Sequence, residues 1–137
     1  MRLTLFLLAL VAAVALVPQA PAAQRDSTPI RKVTAPKFGA ILVTRGHLAL
    51  YRWNNEKDKK VHCTGSCAKA WPPLTIAKGT MVAKHVAGVM GTFGEITRPD
   101  GTTQVTLDGR PLYTYHGDTA TKILCDGVDG WFVVRVH

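Results

Sequence analysis

One skeleton is written twice in this chain. A strand-like run leads to a turn ending in glycine, then to Leu-Tyr-x-aromatic, a polar stretch, Cys-x-Gly and a tryptophan. The first copy reads Gly46, Leu50-Tyr51-Arg52-Trp53, Cys63-Thr64-Gly65 and Trp71, and the second reads Gly109, Leu112-Tyr113-Thr114-Tyr115, Cys125-Asp126-Gly127 and Trp131. The spacing of about 62 residues, offset by one extra residue after Gly46, marks a drifted duplication of one β unit. Such a unit covers its apolar side with its neighbour. The expectation is therefore a single domain over residues 38–137, made of two related halves at about 38–76 and 92–136.

The local signals agree on strands. Residues 39–44 and 47–53 are two β-rich runs joined at a glycine turn. Asp108-Gly109 sits between two alternating runs, and a type I′ turn needs positive φ at both central positions, so it reads as a hairpin. Arg98-Pro99-Asp100-Gly101 is a second turn, and together these place three strands in meander order. Residues 63–70 have the spacing of one or two helical turns, stopped by Trp71-Pro72-Pro73 because proline lacks a donor and restricts the residue before it. Residues 131–136 are a final apolar strand bound for the core. The fold class expected is all-β: a duplicated antiparallel meander, forming a barrel or a sandwich, with one short helical turn.

The start of the chain has a different character. Met1-Arg2 precedes fifteen residues of which only Thr4 is polar, and Ala20-Pro21-Ala22-Ala23 follows. A basic start, a short apolar run and small residues at an A-x-A-like site form a secretory signal peptide, expected to be cleaved near Ala22 or Ala23. No cysteine ends the apolar run, so a lipid anchor is not expected, and the product is secreted or periplasmic. Residues 24–37, with two prolines, several charges and no apolar periodicity, read as a flexible leader.

Export changes how the three cysteines are read, because thiols oxidise outside the cytoplasm. On a helical turn, Cys63 and Cys67 place their Cα atoms about 6 Å apart, within disulfide range. A structural staple is the first reading. The alternative is a redox dithiol or a copper site in which His62 joins the two sulfurs. Cys125 is left over: a buried small hydrophobe, a partner for Cys63 or Cys67, or a thiol for a second chain. The five histidines show no H-x-x-x-H or H-E-x-x-H spacing, and no nucleophile elbow, phosphate loop or dinucleotide fingerprint occurs. The carboxylates sit mostly at turns. No catalytic residue and no cofactor is expected.

Charge points to a partner. Residues 24–84 hold twelve Lys and Arg against three Asp and Glu, a net +9, whereas residues 85–137 hold four against six, a net −2. A basic first half outside the cytoplasm suits an anionic envelope component or envelope protein, with peripheral membrane contact, and not nucleic acid.

Four segments in order carry a family resemblance: Leu50-Tyr51-Arg52-Trp53-Asn54-Asn55-Glu56, the run from Cys63 through Cys67 to Trp71-Pro72-Pro73, Ile96-Thr97-Arg98-Pro99-Asp100-Gly101, and Arg110-Pro111-Leu112-Tyr113-Thr114-Tyr115-His116-Gly117-Asp118. Over residues 40–134 the chain resembles the bacterial secreted-repeat family of lipoprotein-like proteins with a Y-x-[FWY]-x-x-D motif. The resemblance implies export and an unassigned biochemical role. The second copy matches the motif through Tyr113, Tyr115 and Asp118; the first has Tyr51 and Trp53 but Glu56 in place of Asp.

Tyr-x-aromatic sets two rings on one face of a strand, because side chains alternate with period two. The acid three residues further on is placed to accept from a turn backbone or a tyrosine hydroxyl. Tyr51, Trp53, Tyr113 and Tyr115 are thus expected in a common core with Trp71 and Trp131, with a ligand platform as the second choice. The function expected is that of an exported, non-enzymatic binding or structural protein of the envelope. The rival is a periplasmic copper or thiol-redox protein.

Overall fold

The computed structural model describes residues 28–137, so the expected signal peptide and its cleavage site lie outside the described residues. Eight strands follow in order: β1 (Ile30–Ala35), β2 (Gly39–Thr44), β3 (Tyr51–Trp53), β4 (Thr75–Ile76), β5 (Phe93–Thr97), β6 (Thr103–Leu107), β7 (Arg110–Pro111) and β8 (Trp131–Val133). A 3-10 turn at Asn54–Glu56 and one helix, α1 (Ser66–Ala70), complete the regular structure of the described residues. All pairings are antiparallel: β1 with β2, β3 with β8, and β4 and β5 on either side of β6, with β7 also on β6. The fold is all-β and sandwich-like, without a closed barrel.

The two hairpin turns follow from their residues. Asp108 and Gly109 both have positive φ, 52° and 80°, as a two-residue type I′ turn requires. The counterpart in the first copy carries the extra residue, and it is His47 that takes positive φ there while its N–H donates to Thr44 O. One inserted residue has lengthened the loop and left the strands in place.

The leader reading needs a correction. Residues 30–35, inside the stretch assigned to it, form β1 and pair along their whole length with β2, from Ile30 opposite Thr44 to Ala35 opposite Gly39. β1 and β2 repeat β5 and β6, where Phe93 stands opposite Leu107 and Thr97 opposite Thr103. The first copy therefore begins one strand earlier than its composition suggests, while the second, starting near residue 92, already includes its outer strand.

The copies do not fold side by side; they exchange strands. Leu50 N–H donates to Leu42 O at 2.9 Å, and Leu112 N–H to Val105 O at 3.0 Å, within each copy. The next strand crosses over. Leu74 of the first copy donates to Leu112 O at 2.9 Å and Val105 donates back to Leu74 O at 2.8 Å, while Val134 of the second donates to Leu50 O and Leu42 donates to Val134 O. On the local axis between the copies, Tyr51 and Tyr113 exchange both backbone bonds, at 2.8 and 3.0 Å.

Strand alternation then separates two cores. Leu42, Leu50, Val105, Leu112 and Val134 point to one side, where Phe93, Val82 and Val89 cover them. Ile41, Val43, Tyr51, Tyr113 and Val133 point to the other, against Trp71, Trp131 and Cys63. In the first copy the central segment Ile41-Leu42-Val43 is buried on both faces and reads as a continuous apolar run, whereas its counterpart in the second copy buries Gln104 and Thr106 on either side of Val105.

Candidate functional site

The aromatic residues singled out by the sequence converge on the second of these cores. Trp131 stacks between Trp53, at 5.1 Å and 2°, and Trp71, at 4.0 Å and 5°. Tyr115 lies on the far side of Trp71 at 4.7 Å. Tyr51 meets Trp71 edge-on at 5.1 Å, and Tyr113 meets Trp131 in the same way at 5.1 Å. Each contact but the central Trp71–Trp131 stack thus has a twin across the local axis. Such pairs contribute about 0.5–1.5 kcal/mol each beyond burial.

The motif acids complete the exchange. Tyr51 donates to Asp118 Oδ2 at 2.6 Å, and Tyr113 donates to Glu56 Oε1 at 2.8 Å, so each tyrosine is held by the acid of the other copy. Glu56 Oε1 also accepts from His62 N–H and Cys63 N–H, and Asp118 Oδ1 accepts from Leu124 N–H. The shorter aspartate and the longer glutamate serve the same role at equivalent positions. Burial, then the neighbouring Asp118, pushes the Tyr51 hydroxyl far above the usual tyrosine range; burial and then Glu56 do the same to Tyr113. Both hydroxyls stay protonated and act as donors.

Around Glu56 lies a polar cluster that the sequence did not announce. Arg98, 3% exposed, donates to Gln104 Oε1 at 2.6 Å and to Cys63 O at 2.7 Å, with Tyr113 Oη at 3.4 Å. Glu56 Oε2, Arg98 Nε and Arg110 Nε are buried without a hydrogen-bond partner among the described residues. Arg98 was read as a turn residue next to a proline. The signal that marks it otherwise is its place directly after β5, two residues beyond Ile96 and so on the same face of the extended chain.

Cys63 and Cys67 form the expected disulfide, with Cα atoms 5.2 Å apart. His62 is not brought to them: its Nε2 lies 2.7 Å from Asp58 Oδ2, and that contact holds the Asp58 carboxyl below its usual range. Among the described residues no group of three or more His, Cys, Asp or Glu side chains is placed to hold a metal ion. Cys125, equivalent to Cys63, is a half-buried free thiol beside Tyr115, whose hydroxyl it pushes upward in pKa.

On the opposite side of β3, cations from both copies meet. Arg110 donates to Trp53 O at 2.9 Å and depresses the neighbouring Arg52, after burial as the main cause. The Lys59 side chain runs against Gly109, next to Arg110, and Asp108 is the acid that partly offsets Arg52. Lys57 and Lys60 are exposed and form no ion pair.

A family model described as a secreted repeat of unknown function matches the chain twice, over residues 32–75 and 94–135. Both matches begin within the outer strand of a hairpin and extend to the exchanged strand, the first ending inside β4 and the second just after β8, so the repeat unit includes most of β1. No curated protein and no solved structure gave a match. Among the described residues no helix is long and apolar enough to cross a membrane.

Proposed function

The chain belongs to this family of secreted repeats, and from that premise we propose that it is an exported, non-enzymatic binding protein of the bacterial envelope, processed near Ala22 or Ala23 and free of a lipid anchor. Its partner is an anionic envelope component, and nucleic acid is not a ligand. One observation carries the reading: Arg52 and Arg110, from two copies of the repeat, lie close enough to repel, with Asp108 offsetting Arg52 in part, and the Lys59 side chain runs against the adjoining Gly109. Like charges held side by side favour an anion that joins them.

The alternative of a copper site is less well supported, because the Cys63–Cys67 bond leaves neither sulfur as a thiolate and His62 is paired with Asp58, and a thiol-redox role is less well supported because Cys63 is buried away from an incoming thiol. A catalytic reading also lacks support. The tyrosine and acid groups of the motif are engaged with one another and buried.

The test is co-sedimentation of the exported protein with phosphatidylglycerol vesicles and with lipopolysaccharide, at low and raised salt. Binding should fall steeply with salt and drop about tenfold or more in Lys57→Glu/Lys59→Glu, since exposed charge attraction is screened beyond a Debye length. Equal binding to neutral phosphatidylcholine vesicles, or no change in the variant, would sink the proposal.

A further inference from the structure

The two hairpin ends are built on the same backbone plan and filled in opposite ways. At the end of β5 and β6, Arg98, Gln104 and Thr106 turn inward and are buried. At the matching positions of β1 and β2 stand Ala35, Ile41 and Val43. Where the arginine side chain fills the second copy, the first holds a groove of about 680 Å³, floored by Val33, Ala35, Ile41, Val43 and Ile123. That volume lies in the range of small-molecule sites, about 300–1,000 Å³.

Its rim is chemically one-sided. Lys37, from the β1–β2 turn, and Lys122, from the loop after Asp118, line the groove together with His47, and among the described residues no Asp or Glu lines it. Phe38 forms part of the wall, with the Arg135 guanidinium 5.8 Å from its ring centre; that arginine is already paired with Asp126. An apolar floor with two exposed lysines at its edge complements a molecule with an alkyl body and a negative head. It does not complement a sugar, which needs acceptors, or a cation, which needs acids.

We propose that this groove binds a free single-chain amphiphile with an anionic head group, its chain against Ile41 and Ala35 and its head between Lys37 and Lys122. The site is separate from the Arg52–Lys59–Arg110 cluster, and either can fail without the other. Burial of the chain supplies affinity in proportion to the apolar area removed from water. The lysines supply orientation and selectivity.

Calorimetric titration of the exported protein with dodecanoate, below its micelle concentration, tests this. One saturable site is expected, weakened about tenfold or more in Ala35→Trp, which fills the groove, and in Lys37→Glu/Lys122→Glu, which reverses its rim. The second variant changes exposed side chains only, so it keeps the test valid if the first misfolds. Dodecyl maltoside, with the same chain and no charge, should bind at least about tenfold more weakly than dodecanoate. The proposal is overturned by an absence of saturable binding, by equal affinity for the uncharged amphiphile, or by affinity unchanged in both variants. It is also overturned if dodecanoate does not bind and Ala35→Trp instead abolishes self-association or docking on anionic vesicles, which would make the groove a protein or membrane contact. Loss of dodecanoate binding in Ala35→Trp with vesicle binding intact would separate this site from the cationic cluster.

Discussion

The β5–β6 end of the molecule and the β1–β2 end share register and turn length, yet one closes over a buried arginine and the other stays open. At the closed end Arg98 bridges Gln104, Tyr113 and Cys63. At the open end three aliphatic side chains occupy the matching positions and leave a groove. The difference teaches that backbone plan and interior filling are separable. The plan comes from turn chemistry and alternation, while the filling needs only two or three inward residues to change.

The largest test of that contrast compares the two motif acids. Glu56→Ala removes the acceptor of Tyr113, His62 and Cys63 and leaves buried Arg98 and half-buried Arg110 without the nearby acid, and removing one charge from a buried charged cluster costs about 3–5 kcal/mol. Asp118→Ala removes the acceptor of Tyr51 and Leu124 with no arginine beside it, where an unsatisfied buried group costs about 1–3 kcal/mol. Urea unfolding measures both. Equal losses would mean that the arginine cluster does not distinguish the two ends.

A second difference is covalent. The first copy is stapled by Cys63–Cys67, whereas the second has Cys125 and, at the position matching Cys67, Asp129. Closing so short a loop contributes about 2 kcal/mol in the chain-entropy picture. Cys63→Ser/Cys67→Ser should lower stability by that amount in urea and leave near-ultraviolet dichroism of the ring stack in place. A collapse of the dichroism would show that the staple organises the aromatic core as well as tightening it.

The smallest effect concerns what the two ends have in common. Tyr51 and Tyr113 are both raised above the ordinary value of 10.0 in the folded protein. A group that holds its proton more tightly when folded contributes stability that is complete below its unfolded pKa and is lost as pH rises above it. Stability should therefore be level up to pH about 10 and decline beyond, with tyrosinate absorbance from these two residues appearing only as the protein unfolds. Tyrosinate signal from a still-folded core would show one of the two acid–tyrosine bonds to be absent in solution.

Much of this was legible in the residues. The Asp108-Gly109 turn, the β5–β6–β7 meander, the helical turn at Cys63 with its disulfide, and the burial of Tyr51, Tyr113, Trp71 and Trp131 all follow from rules that act over a few positions. β1 was missed because Arg31, Lys32 and Lys37 and two prolines dilute its pattern, as befits an edge strand with one wet face. Val33-Thr34-x-Pro36 nevertheless mirrors Ile96-Thr97-x-Pro99, and that repeat was the available signal. Arg98 was missed because a lone arginine beside a turn carries no mark of burial.

What the chain determined by itself is local: where it turns, which side chains share a face, which cysteines can reach each other, and that two copies exist. Which copy each strand joins was left to the tertiary structure. Matching strands in a duplicated chain offer the same hydrogen bonds and the same alternation, so pairing within a copy and across copies are nearly equivalent in residue terms. The connections and the shared tyrosine–acid bonds break that tie, and with it they settle where the arginine is buried and where the groove stays open.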